Sequence, residues 1–79
     1  MKIEVFGTGC AKCGKLEAMT KAAVDKLGVP YEITHISDIS AIVQRGVMTT
    51  PALAIDGRIV VTGRVPSEAE LTSWLKAEQ

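Results

Sequence analysis

Cys10 and Cys13 are the only cysteines of the chain, and only Ala11 and Lys12 stand between them. Two thiols at this spacing serve two chemistries: a disulfide that opens and closes reversibly, or joint donation of two thiolates to a soft metal ion. A bond between them closes so short a loop that it removes little unfolded-state entropy, so its use is chemical and not architectural. For the metal chemistry, Cu(I) takes two thiolates as a linear pair, whereas structural zinc takes about four ligands and the chain adds only His35 as a further candidate. The choice between the two depends on the elements that hold the motif.

Lys2 to Phe6 alternates charged and β-prone apolar residues and is interrupted by Gly7-Thr8-Gly9, the pattern of a strand that ends in a tight turn. From Ala11 onward Leu16, Met19, Ala23, Val24 and Leu27 fall at helical spacing, and Gly28 with Pro30 stops the helix. Tyr31 to Ile36 reads as a second strand, joined to the first by a right-handed parallel crossover. Ser37 or Asp38 caps a short helix that carries Ile39, Ile42 and Val43 on one face, with Gly46 as its stop. After Pro51, the apolar run Ala52 to Ile55 meets Arg58 to Thr62 across Asp56-Gly57, a strong hairpin signal. Ser67-Glu68-Ala69-Glu70 has the spacing of a capping box before Leu71, Trp74 and Leu75. The order is β-α-β-α-β-β-α, and a mixed four-stranded sheet covered by three helices gives every apolar face a partner.

This order sets the first cysteine between the end of a strand and the first turn of a helix. Unpaired backbone N–H groups and the helix dipole favour a thiolate there, and Lys12 and Lys15 add positive charge, so Cys10 is expected to ionise one or two units below the usual value of about 8.5. Cys13, one turn inside, is expected to be more buried and less acidic. An exposed thiolate beside a second thiol is what dithiol exchange needs: one attacks, the other resolves.

Length and composition bound the alternatives. Seventy-nine residues, 47% hydrophobic and 23% charged, make one small domain over residues 1–79. Nine basic residues balance nine acidic ones, which removes the usual electrostatic drive toward nucleic acid or an anionic membrane. No apolar run approaches the roughly 20 residues of a bilayer span, and charged residues in the opening Met1-Lys2-Ile3-Glu4-Val5 do not suit a signal peptide. The expected location is the cytoplasm, and the expected state a monomer. His35 reads as a strand-end residue, exposed or capping a neighbour, and Met19, Met48 and Trp74 as packing residues, with Met48 also a candidate for the apolar surface around the cysteines.

Gly9-Cys10-Ala11-Lys12-Cys13 at a strand–helix junction, followed by Thr50-Pro51 before a hairpin and a closing helix, resembles the thioredoxin-like superfamily, most closely the small glutaredoxin-like thioredoxins of bacteria and archaea. The resemblance spans essentially the whole chain. It implies a thioredoxin fold with sheet order 2-1-3-4 and a cis-proline before the third strand, and a thiol–disulfide oxidoreductase without a cofactor of its own. By the same resemblance Cys10 is the nucleophile, Cys13 the resolving thiol, Pro51 the cis-proline, and Thr50 the residue that offers its backbone to a substrate segment. Glu4 matches the offset of a buried acid that assists proton transfer from Cys13, and Lys12 supports the thiolate by its charge. The partners implied are disulfide-bearing proteins and an upstream reductase or thiol donor. Two departures stand out. Gly9 replaces the tryptophan of the familiar thioredoxin motif, and Thr62-Gly63-Arg64-Val65-Pro66-Ser67 lacks the Gly-Gly-acid run with which glutaredoxins hold glutathione. The alternative is a C-x-x-C domain that handles Cu(I) or zinc, although such domains usually carry a methionine shortly before the first cysteine and end in a strand. A third reading is an interaction module whose motif does not turn over.

Overall fold

The computed structural model describes residues 1–7 and 11–77, without the side chains of residues 11–13. Its elements are β1 (Lys2–Phe6), α1 (Ala11–Leu27), β2 (Glu32–Ile36), α2 (Ile39–Gln44), β3 (Ala52–Ile55), β4 (Arg58–Thr62) and α3 (Glu68–Ala77). The strands form one sheet in the order β2-β1-β3-β4. β1 runs parallel to β2 and antiparallel to β3, and β3 runs antiparallel to β4. This is a thioredoxin fold, with the sheet order that the resemblance implied.

Strand alternation divides the core between the two faces of the sheet. Ile3 and Val5 of β1, with Leu53 and Ile55 of β3, face Leu16, Ala23 and Val24 of α1 and Leu71 and Leu75 of α3. Phe6, Ala52 and Ala54 face the other way, against Ile42 of α2 and Val47. β3 is buried along its whole length, which explains why its run is continuously apolar. In the β3–β4 ladder Leu53 pairs with Val61 and Ala54 with Ile59, so Val60 is the extra residue of a bulge. The bulge lets the neighbours Val60 and Val61 both meet the larger cluster, where strict alternation would send them to opposite faces.

Local signals act where the residue types place them. Asp56 and Gly57 both take positive φ, 51° and 85°, which closes the two-residue hairpin with a twist that matches the strands. Asp38 caps α2 by accepting from the Ser40 amide at 3.1 Å. The capping box of α3 is reciprocal: the Glu70 amide donates to Ser67 Oγ at 3.2 Å, and the Ser67 amide donates to Glu70 Oε1 at 3.1 Å.

Three expectations for side-chain burial need correction. On α2 only Ile42 is buried, whereas Ile39 and Val43 are 66% and 56% exposed. In six residues the helix turns one narrow stripe to the sheet, and the surface beneath it is already filled by Phe6, Val47 and two alanines. Met48 does not pack; it is 85% exposed in the segment before Pro51. Trp74 is only half-buried, at the margin of the larger cluster.

Among the described residues, two carboxylates are held below their ordinary values. Hydrogen bonding from Arg45 holds Glu4 below the ordinary value of 4.5, against the opposing effect of its burial. Hydrogen bonding from Arg64, aided by the Ser67 amide, lowers Glu70 to about 2. Both groups titrate lower in the folded chain than in the unfolded one, so their stabilisation is complete above about pH 4.5 and is lost as pH falls. Melting temperature should therefore drop between about pH 4.5 and 2, with a shallower slope in Glu70→Gln. An equal slope in that variant removes Glu70 from the account.

Candidate active site

The crossover from β1 to α1 places the motif at the C-terminal edge of the parallel pair. Ala11 is the first residue of α1, and the first turn of that helix contains no acidic residue. Cys10 lies outside the described residues, as do the side chains of Lys12 and Cys13; the backbone of Lys12 and Cys13 belongs to the first turn. A cysteine there has around it the free N–H groups and the positive end of the dipole, with no nearby carboxylate in the same turn to cancel them.

On the other side of the sheet order, β3 begins directly after the Thr50–Pro51 peptide bond, which is cis. Pro51 is fully buried and Thr50 exposed. The Pro51 carbonyl accepts from the Gly63 amide at 2.8 Å, so the end of β4 anchors the segment. Gly63 has φ +77°, and a Cβ on it would stand 2.9 Å from Thr49 Oγ1. Both the backbone conformation and the space exclude a side chain. Gly63→Ala is expected to cost about 1–2 kcal/mol in urea unfolding through the left-handed conformation alone. No measurable loss means that the turn relaxes freely.

Glu4 is 7% exposed and shares a face with Phe6, opposite the face that receives α1. Its carboxylate is gripped by Arg45, with Nη1 donating to Oε2 at 2.6 Å and Nη2 donating to Oε1 at 2.9 Å. The guanidinium lies 5.3 Å above the centre of the Phe6 ring. The structure thus provides Glu4 with a cationic partner across 41 residues of sequence, and Arg45 is a residue that sequence reasoning did not single out. The only available hint was that a carboxylate at a buried strand position requires a counter-charge somewhere in the chain.

His35 is the second residue whose place the sequence left open. Its Nε2 lies 3.2 Å from the Gly7 carbonyl oxygen and its Nδ1 3.9 Å from Glu17 Oε1 on α1. Glu17 also lines a shallow cleft between α1 and β2, together with Gly14, Ala18, Lys21, Tyr31 and Ile33. A wider hollow along Glu68, Thr72 and Lys76 is bounded by α3 alone. Among the described residues, no three His, Cys, Asp or Glu side chains converge as a metal site. Among the same residues, no helix is long and apolar enough to cross a membrane.

A C-x-x-C sequence at a strand–helix junction, a cis Thr-Pro bond before β3 and a sheet of this order define a thiol–disulfide oxidoreductase of thioredoxin fold. The family model of the thioredoxin domain matches residues 1–76, and the chain belongs to that family. It is 41% identical over 75 residues to a thioredoxin of Methanothermobacter thermautotrophicus, covering 95% of this chain and 97% of the relative. It is 40% identical over 75 residues to a thioredoxin of Methanocaldococcus jannaschii, covering 95% and 86%. With the family shown, the metal-handling alternative loses its support.

Proposed function

We propose that Cys10 and Cys13 are the reacting pair of this oxidoreductase and that they reduce disulfides in protein substrates. The Cys10 thiolate attacks one sulfur of the substrate disulfide, forms a mixed disulfide, and expels the other substrate sulfur as a thiolate that takes a proton from water. Cys13 loses its proton to solvent and attacks the Cys10 sulfur. The second substrate thiol leaves, and the Cys10–Cys13 disulfide remains, two electrons having passed to the substrate. A thiol donor or reductase returns them. No resident cofactor enters the cycle.

The observation that carries this reading is the position of the motif at the start of α1, whose acid-free first turn favours the thiolate form. Lys12 adds charge to that end. Thr50, exposed beside the buried Pro51, offers its backbone to an extended substrate segment, a mode that gives affinity with little side-chain selection. Glu4, held ionised by Arg45 on the α2 face, is the group that assists passage of the Cys13 proton to solvent, a role that exchange rates unchanged in Glu4→Gln at all pH values would remove. The working unit is a monomer of one domain in the cytoplasm.

The test equilibrates the protein in defined thiol–disulfide buffers at pH 7 and counts alkylatable thiols. A reversible two-electron transition at or below about −250 mV marks a reductant, and one near −150 mV an oxidant or isomerase. If no reversible disulfide forms in any buffer, the pair is not the reacting centre.

A further inference from the structure

The two edges of the sheet are finished differently. β4 carries the bulge at Val60, a device that discourages pairing along an edge. β2, the opposite edge, keeps five consecutive pairs with β1 in unbroken parallel register and contains no proline. Successive residues of a strand turn their backbone groups to alternate sides. The Glu32 amide donates to the Met1 carbonyl at 2.9 Å, and the Ile36 carbonyl accepts from the Gly7 amide at 3.0 Å, so Glu32, Thr34 and Ile36 direct theirs to β1. Ile33 and His35 each turn an N–H and a C=O to the open side, where the sheet ends.

A row of charges from α1 runs beside this open edge. Glu17, Lys21 and Asp25 follow one another at intervals of one helical turn. Each stands level with a residue of β2 or of its entry. Glu17 Oε1 lies 3.9 Å from His35 Nδ1, Lys21 shares a cleft with Ile33 and Tyr31, and Asp25 Oδ1 accepts from the Tyr31 hydroxyl at 2.7 Å. From His35 through Ile33 to Tyr31 the charges therefore read negative, positive, negative. Lys21 forms no ion pair with a described residue, although an acid stands one turn to either side of it. Gly14 and Ala18 line the same cleft, and a Cβ on Gly14 would meet nothing within 4 Å, so there is room between the helix and the open edge.

We propose that the β2 edge is a docking site for an extended segment of a partner protein, paired through its backbone to Ile33 and His35 and carrying basic, acidic and basic side chains at alternate positions against Glu17, Lys21 and Asp25. In an added strand, the residues level with His35, Ile33 and Tyr31 send their side chains to the same face as those three, the face that α1 covers. Main-chain pairing supplies affinity there, and the charge row supplies selection. The pattern reads the same in both directions, so the segment fits parallel or antiparallel. A second copy of this chain is the wrong occupant. A two-fold pairing about Ile33 sets β2 antiparallel to itself, which brings Lys21 level with its own counterpart and Glu17 level with Asp25, like charge against like. This surface is additional to the disulfide chemistry and does not depend on which thiols react.

The test uses two synthetic β-hairpins closed by Asn-Gly, with outer strands Lys-Thr-Glu-Thr-Lys and Glu-Thr-Lys-Thr-Glu, the charged residues standing where the backbone is free. Each is titrated into the isotope-labelled protein while the amide resonances are followed. The first hairpin should give saturable shifts at Ile33 and His35 and bind at least about tenfold more tightly than the second at low salt, a difference that closes by about 0.5 M salt. Reversing the row with Glu17→Lys, Lys21→Glu and Asp25→Lys together should exchange the two preferences. The wild-type comparison decides by itself if that variant does not fold. Equal affinities, shifts centred on β4, or no saturable shift with either hairpin overturn the proposal. Concentration-dependent shifts of Ile33 and His35 in the protein alone overturn it as well, because the occupant is then a second copy.

Discussion

Replacing Cys10 with serine should reduce disulfide reduction to the background of spontaneous exchange, a loss on the order of 10³-fold or more, because an alcohol at neutral pH supplies almost no anionic nucleophile. Cys13→Ser should behave differently. Its Cys10 still attacks, so the first exchange proceeds, but nothing resolves the product, and a covalent one-to-one adduct with the substrate accumulates until an external thiol cleaves it. The asymmetry arises from position: Cys13 lies within the first turn of α1, and Cys10 immediately precedes its first residue. Non-reducing electrophoresis with a disulfide-bonded protein substrate separates the outcomes. An adduct that forms with Cys10→Ser and not with Cys13→Ser reverses the two roles, and turnover by both single variants removes the centre altogether.

The second large effect is on stability. Phe6 is fully buried, is the largest side chain of the smaller core cluster, and carries Arg45 over its ring. Phe6→Ala should cost about 3–5 kcal/mol, since the cavity left against Ile42, Val47 and the alanines of β3 has few mobile atoms to fill it. A 79-residue domain holds only about 4–12 kcal/mol in total. The urea midpoint should therefore fall by a large fraction of its value, with Phe6→Leu losing much less. A change below about 1 kcal/mol for the alanine variant means that α2 collapses onto the sheet and that the cluster is softer than its burial implies.

The same pair of neighbours shows how differently sequence and structure carry information. The alternating run made β1 legible, yet it puts Phe6 on the face of Lys2 and Glu4, and the burial of that ring comes from α2 and Val47 packing there. The partner of Glu4 was not legible. Arg45 stands 41 residues away, in a turn where an arginine has no local reason to be placed, and only the packing of α2 against the sheet brings the two together. Ile39 and Val43 show the opposite failure. A helical pattern implies an inward face, yet a helix of six residues has room for one inward contact, Ile42.

By itself the sequence determined the order of the seven elements, the hairpin at Asp56-Gly57, the capping box of α3, the family and the pair of thiols, since each is written in residues that lie close together and act through local backbone chemistry. The tertiary structure decided the rest: the two-faced division of the core, the bulge at Val60, the ion pair of Glu4 with Arg45, and the reach of His35 to Gly7 and Glu17. Those features join residues from different elements, Glu4 and Arg45 lying 41 positions apart and Ile3 and Leu75 farther still, and which side chains meet depends on strand register and helix placement that no local pattern encodes.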